Sequence, residues 1–169
     1  MKAWLFLRSL AWTVLIPGVV AGYIPWRFFG VSRAEPSAGA PLDRLGLLLA
    51  AVGICLLLAC IWTFASRGRG TLSPADPPRR LVVRGPYRMV RNPMYLAVSL
   101  ILLGEVLVTR SVPLLGYWAA WFGLVNLLVL GYEEPSLRRR FGDEYTEYAA
   151  KVGRWWPGRR RARRSPPSP

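Results

Sequence analysis

The chain has 169 residues, enough for one compact domain, and carries 23 Lys and Arg against 9 Asp and Glu. Yet 53% of it is hydrophobic, and apolar runs separated by arginine-rich loops reconcile the two in an integral membrane protein. The absence of histidine excludes a Ser-His-Asp triad, a His-based zinc site and His-ligated haem. The arginines lie at the ends of apolar runs and not along one soluble face, which argues against nucleic-acid binding. Cys55 and Cys60 both fall inside an apolar run, so packing is expected of them, and neither a disulfide nor a metal framework.

The first apolar run covers about residues 4–24, with Lys2 and Arg8 before or at its start. A signal peptide has similar flanks. The length of the run, and Trp12 and Pro17 inside it, favour a retained transmembrane helix kinked at Pro17. Residues 25–44 read as a loop whose Trp26, Phe28 and Phe29 suit a membrane interface. The run 45–65 carries no charge, and at ~1.5 Å per residue it spans a ~30 Å hydrocarbon core.

Residues 66–92 hold too many Gly and Pro for a helix, although the segment 81–83 could be extended. The run 93–109 is interrupted only by Glu105, and the run 112–132 is uncharged. The short turn between them predicts an antiparallel hairpin. Glu105 is expected near Arg110 or interfacial water, and as an intramembrane carboxylate it is also a functional candidate. Beyond Pro135, Leu137, Phe141, Tyr148 and Val152 recur at helical spacing among charges. This predicts an amphipathic interfacial helix, interrupted at Gly142 and ended by Trp155-Trp156-Pro157. The tail 158–169 reads as disordered. The predicted fold is therefore all-α: four transmembrane helices and an amphipathic C-terminal helix in one domain, 1–157. The arginine-rich segments place both termini on the cytoplasmic side.

Two polar clusters meet on that side. Asn92 suits a helix N-cap and Pro93 the first helical position. The same helix start attracts a carboxylate or phosphate, and Arg88 and Arg91 strengthen that field or contact lipid headgroups. Tyr87 and Tyr95 are either interfacial aromatics or pocket walls. Glu133 and Glu134 oppose the dipole at a helix end unless a new helix starts at Pro135 or the loop arginines pair with them.

The ordered set Arg84-Gly85-Pro86-Tyr87, Arg91-Asn92-Pro93-Met94-Tyr95, Glu133-Glu134-Pro135-Ser136-Leu137 and Phe141-Gly142-Asp143-Glu144-Tyr145 resembles the isoprenylcysteine carboxyl methyltransferases. Their wider group includes phospholipid N-methyltransferases. The resemblance covers about residues 81–157. It implies an all-helical membrane enzyme that uses S-adenosylmethionine at the cytoplasmic face, and its Asn92 variant of the motif suggests a bacterial inner membrane. It places Leu81, Val82, Tyr87, Asn92, Pro93, Met94, Tyr95 and Glu133 at the cofactor, and Arg91 and Glu134 in catalysis. For an amine acceptor Glu134 is the candidate base.

Animal and yeast members have His where this chain has Asn92. Prenylcysteine enzymes have an Arg at the place of Val129, so the resemblance implies the methyl donor more firmly than a carboxylate acceptor. The expected acceptor is a small or lipophilic carboxylate, thiol or amine, with membrane lipids as further partners and no metal. The rival readings are an NADPH-dependent membrane reductase of similar helical fold and a non-enzymatic membrane scaffold.

Overall fold

The computed structural model describes residues 15–31, 34, 36, 40–65 (backbone only at 64 and 65), 81 and 83–157. The expectations for residues 1–14, for residues 66–80 of the loop 66–92, for Val82 and for the tail 158–169 lie outside them. Helix α1 covers Ile24–Phe28, α2 Pro41–Ala65, α3 Pro93–Thr109, α4 Val112–Leu128 and α5 Glu134–Lys151. Two π-helical turns, Val19–Tyr23 and Val129–Glu133, lead into α1 and α5, and a 3-10 turn covers Gly85–Arg88. No strand occurs among the described residues; Val90 and Gly153 form an isolated parallel bridge.

Pro41–Thr63 and Val112–Lys151 are long and apolar enough to cross a membrane, and Pro93–Thr109 is a shorter apolar helix. In the second of these the charges begin at Glu133, so the part suited to lipid ends there. The expected set of four crossings is thus matched in part. Large apolar side chains such as Leu48, Leu58, Trp62, Leu124 and Leu127 are exposed on α2 and α4. In lipid such faces carry no penalty, whereas in water they would invite association.

Three boundaries differ from expectation. The loop 25–44 is shorter: α1 occupies its beginning and α2 starts at Pro41, a proline suited to a first helical turn, with Asp43 beside it favoured by the dipole. An irregular turn of the first run that was not expected lies at Val19–Tyr23, ahead of Pro25, while the turn before Pro17 lies outside the described residues. The chain also does not break after Tyr132. It continues through the second π turn into α5, whose second residue is Pro135. In a regular helix the Pro135 ring would meet the carbonyl four residues back; the wider turn relieves that clash. The expected interruption at Gly142 is present, with φ +50° and ψ −122° inside α5.

α2 and α3 pack antiparallel through small residues. A Cβ on Gly46 would lie 2.7 Å from the Gly104 carbonyl oxygen, and one on Gly53 would lie 2.7 Å from that of Ala97. The two backbones therefore touch at two levels one heptad apart, the close approach that small residues permit between membrane helices. Val98, Ile101 and Leu102 of α3 form a buried cluster with Leu114 of α4, and Trp118 Nε1 donates to Ser99 Oγ at 2.7 Å. Ser111 caps α4 by accepting from the Leu114 amide at 3.3 Å. Arg110 turns the hairpin in a left-handed conformation and reaches Asp43 of α2 at 2.7 Å. That pairing corrects the expectation for Glu105: Arg110 is engaged by Asp43, and Glu105 Oε2 is buried without a hydrogen-bond partner among the described residues. Cys55 and Cys60 are both free thiols.

Gly104→Leu forces the α2–α3 seam apart, and it is expected to lower stability by about 3 kcal/mol or more. Gly123→Ala, where an added Cβ meets nothing within 4 Å, serves as the control and leaves the melting temperature level or higher. Thermal melts of both variants in detergent check this.

Candidate active site

The start of α3, the end of the second π turn and the segment after α5 converge. Pro93 is the first residue of α3 and fully buried. Asn92 occupies the N-cap position, but its side chain makes no capping bond, which departs from the expectation for it. With φ −122° and ψ 57° its backbone is engaged elsewhere, its amide donating to the Arg154 carbonyl at 3.3 Å. Asn92 Nδ2 is left buried with no acceptor among the described residues, and so is Arg91 Nε. Two adjacent residues thus each hold an unpaired buried donor at a helix N-terminus, where orphan N–H groups and the dipole already favour an anion.

Tyr95 lies three residues after Asn92, on the same side of the first turn. Its hydroxyl donates to Glu133 Oε1 at 2.5 Å. Burial pushes the Glu133 carboxyl above its ordinary value; the Tyr95 bond opposes that shift and the neighbouring Glu134 charge adds to it.

Glu134 faces a different set of partners. Arg91 Nη1 lies 3.1 Å from its Oε1. Arg154 grips it at both oxygens, Nε to Oε1 at 2.7 Å and Nη2 to Oε2 at 2.9 Å. Arg91 Nη1 also donates to the Tyr145 hydroxyl at 3.4 Å, and Tyr145 is only 2% exposed. Burial pushes the Glu134 carboxyl up, but the Arg154 hydrogen bond and the Arg91, Arg154 and Arg138 charges outweigh it and hold the group below its ordinary value.

The remaining predicted residues frame this core. The Tyr87 ring is buried and its carbonyl accepts from the Tyr148 hydroxyl at 2.7 Å. Leu81 packs with Val83 against Tyr145, Tyr148, Ala149 and Val152 of the C-terminal part, so it meets α5. Met94 is half-buried in the first turn of α3. Sequence reasoning missed Arg154 and Tyr145 as partners of the Arg91–Glu134 pair. It also missed Asn126, whose Oδ1 accepts from Trp155 Nε1 at 3.0 Å. The signal for Arg154 was the need of a buried carboxylate for a cation, together with its position just before Trp155-Trp156-Pro157 and ahead of the basic tail. Among the described residues no group of three or more His, Cys, Asp or Glu side chains is placed to hold a metal ion.

The arrangement is that of a helical membrane protein with a carboxylate-bearing polar site at the ends of its apolar helices. Residues 43–144 match the family model described as phospholipid methyltransferase, and the chain belongs to that family. This agrees with the wider group to which the sequence motifs point. Over 154 residues the chain is 30% identical to the cobalt-zinc-cadmium resistance protein CzcN of Cupriavidus metallidurans, covering 89% of this chain and 63% of the relative. Over 145 residues it is 27% identical to the nickel-cobalt-cadmium resistance protein NccN of Alcaligenes xylosoxydans xylosoxydans, covering 86% and 60%. A 68-residue stretch is 40% identical to an uncharacterized protein of Haemophilus influenzae, covering 37% of this chain and 98% of that one. The chain thus spans about three-fifths of the length of the two resistance proteins. No solved structure matches it.

The folded-state pKa of Glu134 is depressed, so its ion pairs stabilise the fold above the ordinary carboxylate range and lose that contribution as pH falls through the depressed value. Glu134→Gln is expected to flatten the acid side of the stability profile. Glu134→Ala leaves Arg91 buried without its carboxylate and is expected to cost about 3 kcal/mol. Thermal melts from neutral pH down to below the carboxylate range check both.

Proposed function

We propose that the protein is an S-adenosylmethionine-dependent methyltransferase acting on a small or lipophilic acceptor within the membrane. The observation that carries this reading is the pair of unpartnered buried donors, Arg91 Nε and Asn92 Nδ2, beside the Tyr95–Glu133 carboxylate. Such a cofactor carries both a carboxylate and an ammonium group. The donor pair suits the first and the carboxylate suits the second. Family membership supports the same chemistry. Tyr87, Pro93, Met94 and Tyr95 would wall the site, with Leu81 and Val82 in the segment before it.

When bound, the cofactor supplies an electrophilic methyl group on a sulfonium. The chain's own residues position and exclude water. Tyr95 holds Glu133 in place from α3. Arg91 and Arg154 hold Glu134 as an anion, which leaves that carboxylate poorly suited to take a proton. We therefore assign charge balance to the Arg91–Glu134 pair and leave Glu133 to the cofactor's ammonium group. A carboxylate or thiolate acceptor needs no base. The excess of arginine in the segments around the site supports a cytoplasmic orientation, from which the polar cofactor would enter, while a lipophilic acceptor would reach the helices from the bilayer.

Calorimetry of detergent-purified protein with S-adenosylmethionine, S-adenosylhomocysteine and NADPH tests the reading. Micromolar binding of the first two is expected. Glu133→Ala and Tyr95→Ala should abolish it while the melting temperature stays within a few degrees. Full activity in both variants would overturn the site, and binding of NADPH alone would make the protein a reductase. Labelled donor with membrane lipids and thiols then identifies the acceptor. The metals common to the names of the two resistance relatives, cobalt and cadmium, add a growth stress under which loss of the protein is to be compared.

A further inference from the structure

We propose that Arg154, outside the motifs that define the site, is a positioning residue: through Glu134 it sets the orientation of the Arg91 guanidinium. The proposal rests on the methyltransferase reading for its ligand, and on geometry for its mechanism.

Arg154 engages the site twice. Its guanidinium takes both oxygens of Glu134, at 2.7 and 2.9 Å. Its carbonyl accepts from the Asn92 amide at 3.3 Å, while the preceding Gly153 carbonyl accepts from the Arg91 amide at 2.8 Å. The segment that carries Arg154 therefore lies along the backbone of the two residues whose side chains hold the unpaired donors. With Glu134 gripped at both oxygens, its Oε1 offers a fixed anchor 3.1 Å from Arg91 Nη1. Tyr145 supports the same nitrogen. Arg91 is thus held at one end, and its Nε remains unengaged.

Fork geometry is what makes Arg154 suitable. A guanidinium presents parallel donors that match a carboxylate, whereas a lysine at this place supplies a point charge to one oxygen and leaves the carboxylate free to rotate. Charge alone, kept by Arg154→Lys, is therefore insufficient. A second anchor of the segment is independent of Glu134: Trp155 donates to Asn126 and packs on Phe122 with ring centroids 5.2 Å apart. Trp155→Phe removes the indole donor to Asn126 and keeps the Arg154 guanidinium, so it separates positioning from general support.

The experiment compares wild type, Arg154→Lys and Trp155→Phe by thermal melting, by S-adenosylhomocysteine calorimetry and by hydrogen exchange at the Arg91 and Asn92 amides. Arg154→Lys is expected to bind about tenfold more weakly or worse, with faster exchange at both amides and a small change in melting temperature. Trp155→Phe is expected to melt lower and bind as the wild type does. Equal loss of affinity in both variants, or unchanged affinity in Arg154→Lys, would overturn the positioning role. Absence of binding to the wild type would instead refute the methyltransferase reading. Hydrogen exchange compared between the variants then carries the test: faster exchange in Arg154→Lys than in Trp155→Phe supports the proposal, and equal exchange in the two sinks it.

Discussion

A carboxylate that is 7% exposed is tolerated in a protein interior only when cations and donors surround it, and Glu134 meets that condition through two guanidiniums. Those guanidiniums come from different places in the chain. Arg91 ends the loop that precedes α3, and Arg154 follows α5. The buried charge makes their assembly one event, since loss of either partner leaves the others desolvated. The bridge between Val90 and Gly153, and the Tyr148–Tyr87 bond, reinforce the same junction with main-chain and hydroxyl contacts.

The junction in turn needs a fixed platform, and the α2–α3 seam supplies it. Lipid is as apolar as a leucine side chain, so helices in it gain little from burying leucine and much from close backbone contact. Gly46, Gly53, Ala97 and Gly104 permit that contact. At the far end of the seam Asp43 of α2 meets Arg110 of the turn after α3. α3 is therefore held along its length, and its first turn, with Asn92, Pro93 and Tyr95, stands at a defined height against the end of the π turn. The Ser99–Trp118 bond carries the same register across to α4.

What could be read from the sequence follows from which interactions are local. The apolar runs that became α2, α3 and α4, the helix start at Pro93 and the break at Gly142 are decided by neighbouring residues, and they were legible. So was the meeting of the Arg91 and Glu134 regions, because two polar clusters at the same ends of apolar runs have nowhere else to go. The partners within that meeting were not legible. Arg154 sits in the sequence beside a basic tail, and only its place before Trp155-Trp156-Pro157 sets it apart from the arginines that follow. The free side chain of Asn92 depends on its amide being taken by a distant carbonyl. Glu105 was expected near Arg110, and that Asp43 meets Arg110 instead required knowing that α2 begins at Pro41.

The two glutamates show how one short irregularity can separate two tasks. Consecutive residues on a helix project about 100° apart, so Glu133 and Glu134 cannot share a partner set. The π turn that accommodates Pro135 ends at Glu133, and it places that residue against α3 and the next against the loop and the C-terminal segment. Their surroundings then shift the two acids in opposite directions, Glu133 upward by burial and Glu134 downward by its guanidiniums. A pair of identical side chains whose proton affinities diverge in this way is suited to two different tasks. The proline that appeared in the sequence to start a new helix thus has a larger consequence than a boundary. By requiring a wide turn before it, Pro135 helps to determine which glutamate faces the first turn of α3.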